Sequence, residues 1–170
     1  MSQLPPEPPR PRTVVSRLLA RVVIGVLALE AVVAVVYGVF ALGPRRGIFA
    51  DLAAAPDEVT REAATRSDDL NLVLFLVAAV VTVAAAVLTG VLLVKLRQVG
   101  GGFALPWWLL TGAAFAAIAV ALGLHVSTDP GQIVVGYVIL GGGALLVAVS
   151  AIWAAVQVRQ TTRESVTVEL

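Results

Sequence analysis

Cysteine is absent from the chain and histidine occurs once, as His125. The first absence excludes disulfides, thiolate metal sites and thiol redox chemistry; the second excludes a multi-histidine metal centre within one chain. Lysine is nearly missing as well, since of the 12 Lys and Arg residues only Lys95 is not arginine. Charged residues make up 14% of the chain against 59% apolar ones. That proportion exceeds what a water-facing surface can absorb, so lipid is the expected solvent for most of the chain. A net charge of +1 gives no general attraction to nucleic acid. No nucleophile has a base within reach: His125 falls at one end of an apolar run and Ser150 toward the opposite end of another. An enzyme is therefore not expected, and no motif calls for a cofactor or a metal.

What is present is a set of four apolar runs, at about 22–42, 72–94, 105–124 and 133–156. Each reaches the ~20 residues that a helix needs to cross a hydrocarbon core of ~30 Å. None alternates polar and apolar residues as a barrel strand does, and no proline lies in a span's interior. The expected fold is an all-α integral membrane protein with four transmembrane helices in an antiparallel bundle. The first run exceeds the length of a signal-peptide core and lacks a small-x-small cleavage site, so it reads as a retained span. Lys and Arg in the flanks set the orientation. Arg10, Arg12, Arg17, Arg21, Lys95, Arg97, Arg159 and Arg163 fall on one side, and Arg45, Arg46, Arg61 and Arg66 on the other. The richer side is assigned to the cytoplasm, which puts both termini there, with Trp107, Trp108 and Trp153 near that interface. Residues 1–21 then form a disordered Pro/Arg-rich cytoplasmic tail, 22–156 the transmembrane domain and 157–170 a second cytoplasmic tail.

The longest polar stretch, 43–71, is expected as an outer loop. Gly43-Pro44 should stop the first helix, after which Ile48, Phe49 and Leu52 dip into the interface. Pro56-Asp57-Glu58 suits the start of a short surface helix, with Asp57/Arg61 and Glu62/Arg66 as favourable pairs. Ser67 is placed as the N-cap of the second span, with Asp68 and Asp69 against its dipole. The acids of this stretch lack a calcium-loop spacing and alternate with arginines, so they read as a solvated face rather than a metal site. Gly100-Gly101-Gly102 has no phosphate-binding context and reads as a turn.

Glu30 is the most informative polar residue, because a carboxyl near the middle of a span is costly unless it faces protein or water. Steps of four from it reach Ala34 and Gly38, small residues that permit close helix approach. Similar ladders, Ala78-Thr82-Ala86-Gly90 and Ala113-Ala117-Ala121, mark packing faces on the second and third spans. Thr82 or Thr89 is positioned to hydrogen-bond Glu30, and Ser150 lies at comparable depth. With no basic residue in any span, Glu30 is expected as a neutral, hydrogen-bonded acid. His125 is a pH-sensing candidate, although a polar anchor at the interface is the plainer reading.

Four spans with a glutamate in the first, here Ala28-Leu29-Glu30-Ala31-Val32, resemble the small multidrug resistance transporters, which implies proton-coupled export of cations through Glu30. The long first loop and proline-rich tail depart from that family. The order of basic tail, span, acidic loop and three close spans, with the ending Val156-Gln157-Val158-Arg159-Gln160-Thr161-Thr162-Arg163, is similar to actinobacterial four-span membrane proteins of unknown function. The expectation is a non-enzymatic accessory or structural subunit in a bacterial plasma membrane, surrounded by the lipid bilayer and packed in a homo-oligomer or a larger complex. A Glu30-dependent carrier and a sensor using the outer loop are the alternatives.

Overall fold

A computed structural model describes residues 16–98 and 101–167, and all regular structure in them is helical. The elements are α1 (Arg17–Phe40), a π-helical turn (Ala41–Arg45), α2 (Arg46–Ala54), a 3-10 turn (Pro56–Glu58), α3 (Arg61–Gln98), α4 (Leu105–Leu124) and α5 (Pro130–Thr167). Four continuous helical stretches are long and apolar enough to cross a membrane: Arg17–Ala54, Arg61–Gln98, Leu105–Leu124 and Pro130–Thr161. The proline-rich residues of the N-terminal tail lie outside the described residues, whereas 17–21, expected in that tail, already belong to α1. At the other end α5 continues past 156 through much of the expected second tail.

A buried seam organises α1. Ala20, Val23, Leu27, Glu30, Ala34, Tyr37 and Ala41 are all buried, in alternating steps of three and four that keep one face toward a neighbour. That neighbour is chiefly α5, which also carries α4; α3 packs on the other flank of α1. Helices α1 and α5 thus form the central pair. In their most apolar stretches 39% and 50% of residues are buried, against 11% in both α3 and α4. The two outer helices share almost no backbone contact, which leaves a groove between them.

Glycines bring the central pair together. A Cβ placed on Gly38 would lie 3.1 Å from the carbonyl oxygen of Gly141, and one on Gly141 would lie 3.0 Å from that of Gly38. Neither backbone can retreat without separating the helices, so the small residue is required on both sides. Along α4 the matching approach is at Gly143, where a Cβ would meet Ala117 at 3.3 Å and Ile118 at 3.2 Å.

The expected helix stop at Gly43-Pro44 is not observed, because the chain stays helical to Ala54. Proline lacks an amide hydrogen and crowds the carbonyl four residues back. A wider π-turn absorbs that conflict without ending the helix. It also turns Pro44 outward while keeping Arg45 in the seam, 5% exposed. Helix α3 likewise starts earlier than expected. Its N-terminus is capped by Thr60, whose hydroxyl accepts from the Ala63 amide at 3.2 Å, and Ser67 is an interior residue. The alanines, Arg66 and Glu62 upstream are good helix formers, so nothing interrupts the helix before Thr60. Residues 43–71 are mostly helix, and the expected surface helix at Pro56 is a single 3-10 turn.

Candidate functional site

Two polar assemblies interrupt this apolar bundle. The first lies in the groove between α3 and α4 and contains Glu30, which is 8% exposed. The central seam of α1 brings the carboxyl to the groove floor, where the Thr82 side chain of α3 lines the same cavity. Across the floor Ser150 of α5 is hydrogen-bonded to Thr111 of α4 with 2.6 Å between the hydroxyl oxygens. Together these groups line a cavity of about 190 Å³. Its remaining wall is largely apolar, including Leu27, Leu93, Phe115 and Val147. Trp107 and Trp108 close one end, their rings edge to face at 4.7 Å, with Phe103 packed 4.6 Å from Trp107.

Two further polar atoms in this wall have no hydrogen-bond partner within the protein. They are the Thr89 hydroxyl and the indole nitrogen Nε1 of Trp107, in residues only 6% and 9% exposed. A buried donor without a partner costs about 1–3 kcal/mol; the two residues line one cavity, but the atoms themselves are closed to it. Glu30, Thr82, Thr89 and Ser150, singled out in the sequence, therefore meet at one site. Thr89 does not serve as the Glu30 donor, and Ser150 pairs with Thr111 instead. Thr111 and Trp107 escaped sequence reading: a threonine in an apolar helix and a tryptophan near its start are both ordinary there. Their spacing of four along α4 put them on one face, the available signal.

The small-residue ladders are displaced from the faces that pack. Ala34 and Gly38 are buried on the Glu30 face, and Ala78 packs partly buried near Tyr37. Ala86 and Gly90, however, are exposed along the groove wall, and a Cβ on Gly90 would meet nothing within 4 Å. Their inward places are taken by Ala85 and Thr89. On α4 Ala121 is fully buried and Ala117 approaches Gly143, but Ala113 is exposed and Ala114 packs in its stead. Each step of four overshoots a full turn by about 40°, so a strict ladder walks off the face it starts on.

The second assembly centres on Arg45, which the sequence placed as an outer charge. Its guanidinium donates to the Tyr137 hydroxyl at 2.9 Å, to the Ser67 hydroxyl at 2.9 Å and to the Asp68 carboxylate. It also lies over the Phe49 and Tyr137 rings, 4.8 and 5.3 Å from their centroids. Tyr137 in turn stacks on Phe49 and takes the His125 ring edge-on at 4.3 Å. This web ties α2, α3 and α5 together and gives the expected loop a fixed place. His125 is not joined to Asp129. Its Nδ1 lies 2.6 Å from the Ala121 carbonyl, while Asp129 caps α5 by accepting from the Gly131 amide at 2.9 Å. Beside the web, a groove lined by Pro44, Ile48, Thr60, Glu62, Arg66 and Leu70 mixes polar and apolar groups.

Among the described residues no three of His, Asp and Glu converge as metal ligands do. Compared with known protein families, with curated proteins and with solved structures, the chain matches none.

Proposed function

We propose that the chain is a multi-pass protein of a bacterial plasma membrane, an antiparallel bundle with both termini in the cytoplasm, acting as a non-enzymatic accessory subunit through the cap that residues 43–71 form around Arg45. The observation that carries this reading is the burial of Arg45 among Tyr137, Ser67, Asp68 and Phe49. A loop that only had to connect two spans would need no such web, whereas a surface presented to a partner gains from being held in one shape. Orientation is supported by charge. Arg17, Arg21, Lys95, Arg97 and Arg159 flank one end, against Arg46, Arg61 and Arg66 exposed at the cap, where Arg45 is withdrawn into an ion pair.

The test is purification in mild detergent of the native protein, of Arg45→Met and of Glu62→Arg on the cap groove. A partner retained by the native protein and lost with both variants supports the reading. A chain that is monomeric and alone in every preparation overturns it. A second reading, a small carrier using Glu30, is favoured by the cavity on which that carboxyl opens. Reconstituted Glu30→Gln should keep its assembly and lose coupled transport; full transport by that variant would sink the carrier.

A further inference from the structure

We infer that the groove beside the cap binds a phospholipid with a phosphoethanolamine headgroup, drawn from the leaflet on the cap side. The site rests on the reading that the four helices cross a bilayer. One wall of the groove is the start of α3, where Glu62, Arg66 and Leu70 line it. Steps of four put these three on one stripe, and Val73 and Val77 continue it. All five are exposed. From the first turn of α3 toward its apolar stretch, the stripe therefore runs acid, base, then three aliphatic side chains. A phosphoethanolamine lipid runs ammonium, phosphate, then acyl chain, so each of its parts meets its complement in the same order. The facing wall, Phe40, Pro44 and Ile48, is apolar, and the groove encloses about 390 Å³.

Both charges are free to take a headgroup. Glu62 precedes Arg66 by four residues, the order that favours a helical ion pair, yet no ion pair or hydrogen bond joins them among the described residues. The hydroxyls of the groove are already engaged, since Ser67 accepts from Arg45 and Thr60 from the Ala63 amide. Residues four apart on a helix have Cβ atoms about 5–6 Å from each other. A two-carbon link between phosphate and ammonium spans a like distance, so both ends of one headgroup reach their counter-charges. A headgroup that is only anionic would suit Arg66 but set its phosphate against Glu62. A choline headgroup carries the second charge without an N–H to donate. Phosphoethanolamine makes a charge-assisted hydrogen bond at each end.

Delipidated full-length protein in detergent is titrated with phosphatidylethanolamine, phosphatidylglycerol and phosphatidylcholine of identical chains, and with chain-free glycerophosphoethanolamine. Native mass spectrometry counts what is bound. Phosphatidylethanolamine is expected to bind most tightly. Arg66→Gln should weaken it about five- to tenfold, the equivalent of one net hydrogen bond, and Glu62→Gln should remove its advantage over phosphatidylcholine. The paired exchange of Glu62→Arg with Arg66→Glu keeps both charges at exposed positions and reverses their order. That protein should melt close to the native one and lose the preference.

Equal retention of the three lipids, unmoved by the exchange, would overturn the inference in favour of a general lipid shell. Tightest binding of phosphatidylglycerol, lost with Arg66→Gln alone, would overturn it in favour of an anion site. Glycerophosphoethanolamine bound as tightly as the lipid would put a soluble phosphate compound in the groove instead. These titrations contain no partner protein and leave Arg45 unaltered, so their failure leaves the accessory reading standing or falling on its own test.

Discussion

Arg45 and Asp68 form an ion pair whose two sides differ in exposure, 7% for the arginine side chain and 64% for the aspartate. The difference decides what each loss costs. In Asp68→Asn the cation loses a mostly solvated counter-charge but keeps its bonds to Ser67 and Tyr137, a cost of about 1 kcal/mol. In Arg45→Met the carboxylate is already solvated, but the buried Ser67 and Tyr137 hydroxyls lose their partner, about 1–3 kcal/mol each. Thermal unfolding in detergent should therefore place Arg45→Met below Asp68→Asn, with the double variant less affected than the sum. The opposite order would mean that Arg45 acts chiefly through its charge on Asp68 rather than through the buried hydroxyls.

The same residue marks a boundary of what the sequence makes legible. Glu30 stands out because a carboxyl interrupts an apolar run, and local context alone is enough to see it. Arg45 does not, because its partners Ser67 and Tyr137 lie 22 and 92 positions away. In sequence it is one of two arginines beside a Gly-Pro pair, a pattern shared with any helix end. Thr111 and Ser150 present a similar case, two hydroxyls 39 positions apart whose hydrogen bond exists only once α4 lies on α5.

At the scale of elements, the existence of four long helices follows from hydrophobic length, and their faces do not. The seam of α1 from Ala20 to Ala41 alternates threes and fours, whereas the ladder Ala78-Thr82-Ala86-Gly90 uses fours alone and drifts into the groove. Small residues matter where backbones touch, and that contact depends on the neighbour. Gly38 and Gly141 are such a pair; Gly25 is not, since a Cβ there would meet nothing within 4 Å. Gly141→Val should separate α1 from α5 and destabilise the bundle by about 1–3 kcal/mol, the usual cost of overpacking. Gly25→Ala should be neutral or slightly stabilising, because alanine is the better helix former by up to about 1 kcal/mol. Melting of both variants in one detergent checks the contrast, and equal effects would remove the close approach from its central role.

For the whole molecule, the arrangement of α1 and α5 as a central pair with α3 and α4 on their flanks concentrates burial in two helices and leaves the outer two to their surroundings. If those surroundings are a bilayer, the ends of the bundle must differ in the side they face, and the chain offers a clean way to read it. It contains no cysteine, so a single introduced thiol reports its own position without background. Asp57→Cys lies on the cap and Gln160→Cys beyond the apolar part of α5, both at exposed positions. With both termini in the cytoplasm, a membrane-impermeant maleimide added to intact cells should label Asp57→Cys and reach Gln160→Cys only after lysis. The reverse pattern would invert the topology and put the Arg45 cap inside the cell, where a partner for the cap would have to be cytoplasmic. Labelling of both thiols in intact cells would require an odd number of crossings between residues 57 and 160 to be replaced by an even one. At least one of α3, α4 and α5 would then fail to span, despite its length.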